Sequence, residues 1–90
     1  MRRVAVFGNA GGGKSTLSKR LAEITDLPLI FLDLIQYKPG GEKVPDEEYK
    51  IAHDEMLQQD SWIIDGFGSL DTVWKRLEVA DTLVYIDLPV

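Results

Sequence analysis

Residues 4–17 read VAVFGNAGGGKSTL, and this stretch decides the fold. Its first four residues form a continuous apolar run that ends at a glycine, which is the pattern of a strand buried on both faces. From Lys14 onward apolar residues recur at helical spacing, and Asp26 and Pro28 end that pattern. The stretch therefore predicts a buried strand, a glycine-rich turn and a helix that ends at Thr25. The predicted core-facing residues of that helix are Leu17, Leu21 and Ile24.

The turn fits the phosphate-binding pattern G-x-x-x-x-G-K-[ST] at every fixed position. Glycines allow the backbone to approach a polyanion closely, and successive amide N–H groups at the start of a helix form an anion-binding nest. In this pattern Lys14 reaches the β- and γ-phosphates, and Ser15 offers its hydroxyl to Mg²⁺. The predicted nucleotide-binding residues are Gly8, Asn9, Ala10, Gly11, Gly12, Gly13, Lys14, Ser15 and Thr16.

Two other interpretations of this turn are weaker. A chance match anywhere in a chain of this length has a probability of roughly 0.3% at ordinary residue frequencies. A glycine-rich turn with a merely solvated Lys14 is therefore the less favoured alternative. The dinucleotide-binding fingerprint G-x-G-x-x-G fails because Thr16 stands where its last glycine is required.

Three more apolar runs occur, over residues 29–32, 62–64 and 82–86, with helical segments between them. One helix is predicted over residues 45–59, with acidic residues in its first turn that complement the helix dipole. Another is predicted after Ser69, which serves as its N-cap. Alternating strands and helices indicate a mainly parallel sheet covered by helices. The expected fold class is α/β, a three-layer α/β/α arrangement with four strands.

Each of those three apolar runs ends at an aspartate, namely Asp33, Asp65 and Asp87. In open α/β sheets the ligand crevice lies outside the carboxyl ends of the strands. These carboxylates are therefore expected at the same rim as the glycine-rich turn. A carboxylate near Mg²⁺ holds the ion through water, and another could position an acceptor hydroxyl. The alternative is that each aspartate only ends its strand and caps the next segment of the chain.

Composition excludes several classes of function. The 90-residue chain has the length of one small domain, no cysteine and a net charge of −5. The acidic balance disfavours direct nucleic-acid binding, which depends on neutralising phosphates. The absence of cysteine excludes thiol catalysis and cysteine-ligated zinc. No apolar run approaches the roughly 20 residues of a membrane span, so the expectation is a cytoplasmic protein with no membrane partner.

Four single side chains carry expectations that bear on the site. His53, the only histidine, is expected to be partly exposed on its helix, and Arg76 is expected to be a solvated surface residue. Trp62 and Trp74 are expected to anchor the core or its edge. The loop over residues 36–45 contains prolines and glycines and is a candidate mobile flap.

The glycine-rich turn, residues 32–33 and residues 64–67 together resemble the P-loop kinases of the adenylate kinase and shikimate kinase type. A closer resemblance is to the bacterial DNA topology modulation proteins, an adenylate-kinase-related group. It extends over residues 31–33 with Tyr37, and over residues 39–40, 45–49, 62–66 and 80–89. These resemblances imply a core sheet of strand order 2-3-1-4-5 and an ATP-dependent phosphoryl transfer or hydrolysis.

The resemblance also implies roles for individual residues. Asp65 would be the acid on the Mg²⁺ side, and Asp33 would face the acceptor. The catalytic candidates are Lys14, Asp33 and Asp65, and the metal candidates are Ser15 and Asp65. The implied cofactors are ATP and Mg²⁺, and the implied partners are a nucleotide and a small-molecule phosphate acceptor, which could itself be a nucleotide.

Kinases of this type continue after their fourth strand into a lid with arginines, a fifth strand and a final helix, whereas this chain ends at Val90. The expectation is a C-terminally truncated chain, the N-terminal part of a longer kinase-like fold. An exposed edge on its last strand would favour a homodimer or aggregation. Two functions stay open. One is a kinase or ATPase, and the other is a nucleotide-binding regulatory module without turnover, which the missing lid arginines favour.

Overall fold

Parallel strands form the middle layer of the structure, and helices cover both faces. The computed structural model describes residues 1–8 and 13–86, with side chains except those of residues 13–15 and 86. The elements of this part of the chain are β1 (Arg3–Gly8), α1 (Gly13–Thr25), β2 (Leu29–Phe31), α2 (Asp33–Gln36), α3 (Asp46–Leu57), β3 (Trp62–Asp65), α4 (Leu70–Val79) and β4 (Thr82–Ile86). The strand order is β2-β3-β1-β4, with every pair parallel. The predicted order is confirmed for these four strands, and the described residues form no fifth.

Alternating side chains of the central strands fill two apolar cores on opposite faces of the sheet. On one face, Val4, Val6 and Ile63 pack against Leu21 and Ala22 of α1. The buried members of the core on the other face are Leu32, Tyr49, Trp62 and Ile64. Because both faces are covered, β1 and β3 are near-continuous apolar runs rather than alternating ones. The three-layer α/β/α expectation is confirmed.

The face that α1 turns to the sheet differs from the predicted stripe. Leu17 and Ile24 are exposed, and only Leu21 of the three predicted residues packs into the core. Ser18 is buried instead, one turn before Ala22. The buried face of α1 thus includes Ser18, Leu21 and Ala22, and the larger Leu17 and Ile24 lie outside it.

The edge strand β4 leaves an apolar surface uncovered by the described residues. Leu83 and Tyr85 are 60% and 68% exposed. On α4, Trp74 is 62% exposed, so the expectation that it anchors the core is wrong, whereas Trp62 is fully buried as expected. A groove of about 390 Å³ lies between α4 and β4, and we call it the β4 groove. Its lining residues are Phe7, Gly8, Gly66, Phe67, Val73, Leu77, Leu83 and Tyr85.

The predicted helices after residues 45 and 69 are confirmed as α3 and α4. Ser69 is the N-cap of α4, and its backbone N–H donates to Thr72 Oγ1 at 3.1 Å. The sequence predicts no helix between the second strand and residue 45, yet α2 forms there, followed by an antiparallel bridge between Tyr37 and Lys43. Within residues 1–8 and 13–86, no helix has the length and apolar character that crossing a membrane requires.

Among the four glycines over residues 40–68, Gly68 is the position at which substitution should be least tolerated. Its φ is 75°, and a Cβ there would overlap the buried hydroxyl of Tyr49, which is hydrogen-bonded to Thr72 Oγ1 at 2.9 Å. Left-handed backbone strain and overpacking together should make Gly68→Ala less stable by about 2–4 kcal/mol. Urea unfolding measures this loss. Gly40→Ala is the matched control, because a Cβ there meets no atom within 4 Å, and a loss of similar size in both variants would contradict the assignment.

Candidate functional site

The carboxyl ends of the strands meet at one edge of the sheet, as the sequence predicts. Asp65 lies opposite Val6 of β1 and Phe31 of β2. The backbone continues this pairing beyond the strands, because Leu32 N–H donates to the Asp65 carbonyl at 3.0 Å and Gly66 N–H donates to the Val6 carbonyl at 3.2 Å. The segment around Asp65 therefore lies between the strand that leads into the glycine-rich motif and the strand that leads into Asp33.

Asp65 is buried on the α1 side of the sheet. Its side chain is 3% exposed, and it accepts a hydrogen bond from Ser18 Oγ at 2.7 Å. A buried carboxylate requires donors, and Ser18 is one of its partners. The sequence reasoning missed Ser18. The signal that could have found it is its position in the helix, one turn after Ser15 and therefore on a related face.

The glycine-rich motif lies partly outside the described residues. Asn9, Ala10, Gly11 and Gly12 are outside them, as is Asp87, and so are the side chains of residues 13–15. The backbone on either side has the predicted form, since β1 ends at Gly8 and α1 begins at Gly13 within the motif. Thr16 is exposed on the first turns of α1. The strand before the motif and the helix after it are therefore present, and the roles of Lys14 and Ser15 stay predictions.

Asp33 is exposed at the start of α2, and within the described part of the chain its carboxylate has no hydrogen bond or ion pair. It lines a cavity of about 660 Å³, which we call the Asp33 cavity. The other lining residues of that cavity are Leu34, Tyr37, Lys38, Pro39 and Gly41. A second, smaller hollow of about 280 Å³ brings Asp33 together with Lys19. Asp33 thus lines both hollows, with Lys38 in one and Lys19 in the other.

Arg76 contradicts its expectation, because it is fully buried rather than solvated. Its Nη1 donates to His53 Nε2 at 3.0 Å, and its Nη2 donates to the carbonyls of Gly66 at 3.1 Å and Phe67 at 2.7 Å. Its guanidinium carbon lies 5.2 Å from the ring centroid of Phe7. The sequence signal was present but weak. Arg76 follows Thr72 and Val73 at helical spacing, and those three are the buried residues of α4.

His53 is also fully buried, so the expectation of partial exposure is wrong. A guanidinium only donates hydrogen bonds, so His53 Nε2 must be the unprotonated acceptor and Nδ1 carries the proton. Within the described part of the chain, Nδ1 has no hydrogen-bond partner. Burial, and next the positive charge of Arg76, lower the pKa of His53 from 6.5 to about 4. The histidine is therefore a neutral acceptor for Arg76 near pH 7.

A divalent cation would rely on few protein ligands here. Within residues 1–8 and 13–86, no group of three or more His, Cys, Asp or Glu side chains is arranged to hold a metal ion. One carboxylate at the strand ends fits Mg²⁺ held largely by water and phosphate oxygens, which is how this ion is usually bound in nucleotide sites. Asp65 lies at the strand ends and offers carboxylate oxygens, and its role toward Mg²⁺ stays a prediction.

The sequence of this chain is similar to that of a known kinase. The chain is 32% identical to a shikimate kinase of Corynebacterium jeikeium (strain K411), over 98% of this chain and 54% of that protein. The chain thus spans about half the length of the curated relative it matches. No family model matches the chain.

Solved structures show the same fold. A shikimate kinase from Aquifex aeolicus superposes with a TM-score of 0.71 and 19% identity, over 97% of this chain and 60% of that one. A gluconokinase from Sinorhizobium meliloti 1021 superposes with a TM-score of 0.63 and 18% identity, over 99% of this chain and 58% of that one. A sugar kinase from Janibacter sp. HTCC2649 superposes with a TM-score of 0.57 and 17% identity, over 99% of this chain and 60% of that one. The chain has the P-loop kinase fold.

The lowered pKa of His53 predicts a pH dependence of stability. Between pH 6.5 and about 4 the unfolded chain binds a proton that the folded imidazole does not. The contribution of neutral His53 to the free energy of unfolding is therefore fully present above pH 6.5. It is lost as the pH falls toward 4, by up to about 1.4 kcal/mol per pH unit. Urea unfolding from pH 7.5 to 4.5 measures it against His53→Gln, which keeps an acceptor but does not titrate. Parallel curves for the two proteins over this range would contradict the assignment.

Proposed function

We propose that this chain binds Mg²⁺-ATP through its glycine-rich motif and takes part in transfer of the γ-phosphoryl group to a small molecule held beside Asp33. The observation that carries the proposal is the juxtaposition at one sheet edge. There Asp65 pairs in register with the strand that enters the motif, and Asp33 follows the neighbouring strand. The likeness to a shikimate kinase and to three solved kinases supports the same reaction class.

In this mechanism the residues position groups and neutralise charge. The amides of the motif and Lys14 would hold the phosphates of ATP. Ser15 and Asp65 would hold Mg²⁺, which neutralises negative charge on the phosphates when bound. Ser18 keeps the Asp65 carboxylate oriented through its 2.7 Å hydrogen bond. Asp33 would orient the acceptor hydroxyl and receive its proton as the new O–P bond forms and the bond from the γ-phosphorus to the β-γ bridging oxygen breaks.

The Asp33 cavity suggests the class of acceptor. It combines a carboxylate with Lys38, and Lys19 lies in the adjoining hollow. Asp33 suits a hydroxyl group, and the lysines suit an anionic group on the same molecule. We therefore propose a hydroxylated small anion as acceptor, with shikimate, gluconate and nucleoside monophosphates as the first compounds to test.

A second function, a nucleotide-binding regulatory module without turnover, is favoured by the placement of the arginines. The chain has four, Arg2, Arg3, Arg20 and Arg76. Arg2 and Arg3 lie at the start of β1, Arg20 lies in the body of α1, and Arg76 is buried with both terminal nitrogens engaged. Phosphoryl transfer normally uses a cationic clamp on the transferring group, and no arginine of the described residues supplies one.

We also propose that this unit is the N-terminal part of a larger kinase fold. The matched kinases are longer, and the β4 groove with the open edge of β4 is a place where further structure would pack. A second copy of the chain is the alternative cover for that edge. Kinship with the DNA topology modulation group and a cytoplasmic location are proposals that rest on sequence alone. That kinship does not require DNA contact, which the net charge of −5 disfavours.

Mg²⁺-ATP should raise the melting temperature of the wild-type chain. Ligand at about 100 times its dissociation constant adds about 2.7 kcal/mol, which for a domain this small is a shift on the order of 10 °C. Lys14→Ala should lose most of the shift, because the phosphates lose their cation, and Lys75→Ala, an exposed cation on α4, should keep it. A folded wild-type sample with no shift, or an equal shift in Lys14→Ala, would rule out binding through the motif.

Asp33→Asn should separate acceptor chemistry from nucleotide binding. Loss of a positioned proton acceptor should lower acceptor-stimulated ADP formation by about 10²- to 10⁴-fold, while the melting shift with Mg²⁺-ATP is unchanged. ADP release is measured with each of the three acceptor types against an acceptor-free background. Asp60→Asn is the control, since Asp60 is exposed just before β3, at the opposite edge of the sheet. Stimulation by no acceptor in a wild-type protein that binds ATP would favour the regulatory module.

A further inference from the structure

Arg76 is a buried cation without a carboxylate to balance it. Its side chain is fully buried, and it forms no ion pair with any described residue. An unpaired buried charge is costly, and an apolar residue of similar volume would pack in such a place at less cost. The guanidinium therefore does something that packing alone does not require.

The partners of Arg76 indicate what that is. Its Nη2 binds two consecutive carbonyls, those of Gly66 and Phe67, which directly follow Asp65. Its guanidinium carbon lies over the ring of Phe7, which directly precedes the first glycine of the phosphate motif. One side chain on α4 thus contacts the two strand ends from which the groups proposed to bind ATP and Mg²⁺ extend.

The backbone that Arg76 contacts includes two glycines with positive φ. Gly66 has a φ of 131° and Gly68 a φ of 75°, both in the region that favours glycine. Glycine-rich backbone of this kind has many alternative conformations, so external hydrogen bonds select one. Arg76 supplies two of these bonds through its Nη2. His53 Nε2 accepts from its Nη1 and so fixes the guanidinium.

We propose that Arg76 is a positioning residue of the nucleotide site: through the carbonyls of Gly66 and Phe67 and the ring of Phe7, it fixes Asp65 and the entry to the phosphate motif relative to each other. The proposal rests on the proposed function, because the groups being positioned are the ones assigned to Mg²⁺-ATP. His53 supports it as the neutral acceptor that orients the guanidinium.

The test compares Arg76→Met and Arg76→Lys with the full wild-type chain. Met fills the site without a charge, and Lys keeps the charge but not the paired donors. In both variants the dissociation constant for Mg²⁺-ATP, measured by calorimetry, should rise about 10- to 100-fold, the usual effect of losing a group that orients a metal ligand. Affinity for ATP in EDTA should fall less, since Asp65 acts through the metal. Lys75→Met on the neighbouring, exposed position should stay within about twofold of wild type.

Hydrogen exchange distinguishes a local role of Arg76 at the end of β3 from a general loss of stability. Gly66 N–H donates to the Val6 carbonyl at 3.2 Å, beside the segment that Arg76 holds, whereas Ile63 N–H, inside β3, donates to the carbonyl of Pro28, the residue before β2, at 2.7 Å. Arg76→Met should lose protection at Gly66 while Ile63 stays protected. Equal loss at both amides, or a folded Arg76→Met with wild-type Mg²⁺-ATP affinity, would overturn the proposal.

The proposal can still be tested if Arg76→Met does not fold or if the wild-type chain binds no nucleotide. If Arg76→Met does not fold, His53→Leu keeps the guanidinium and removes its acceptor, and it should weaken Mg²⁺-ATP binding in the same direction; unchanged binding overturns the proposal. If the wild-type chain binds no nucleotide, the proposed function fails by itself. The exchange comparison between Gly66 and Ile63 then still decides whether Arg76 positions the end of β3.

Discussion

The parallel pairing of β1 between β3 and β4 is the constraint on which the rest of the structure depends. Because all four strands run in one direction, every polar residue that follows a strand is delivered to the same edge. The register is as important as the direction. A slip of one residue between β1 and β3 would turn Asp65 to the opposite face of the sheet, away from Ser18. Backbone hydrogen bonding at the centre of the sheet therefore sets the chemistry at its end.

At the carboxyl end of the strands, one face of the sheet carries a buried anion and the other a buried cation. On the α1 face the Asp65 carboxylate is held by a hydroxyl. On the other face a guanidinium is held by an imidazole, two carbonyls and an aromatic ring. The cation and the anion approach the same short segment from opposite sides without forming an ion pair with each other. A direct pair would neutralise the carboxylate that the proposed function assigns to Mg²⁺, so this separation suits a metal ligand.

Much of the fold could be predicted because its determinants are local. The apolar runs over residues 4–7 and 62–64 need only their own composition to be recognised as buried strands, and Ser69 is a recognisable cap. The convergence of Asp33 and Asp65 followed from the parallel order. The buried pair of Arg76 and His53 could not be predicted in this way, since each residue looks like an ordinary exposed helix position until α3 and α4 pack together. The prediction for Trp74 was wrong in the opposite direction, since a residue expected to be buried is exposed. The apolar pattern of α4 does not reveal which of its side chains lack a packing neighbour.

The shared network of Arg76 also has a consequence for how this sequence can change over time. Replacing Arg76 alone leaves an imidazole nitrogen and two carbonyls without their donor. Replacing His53 alone leaves a buried cation with one acceptor fewer. The effects of the two replacements should therefore be non-additive, because each residue is a partner of the other. Lineages that leave this arrangement should exchange both residues, and those that keep one should keep the other.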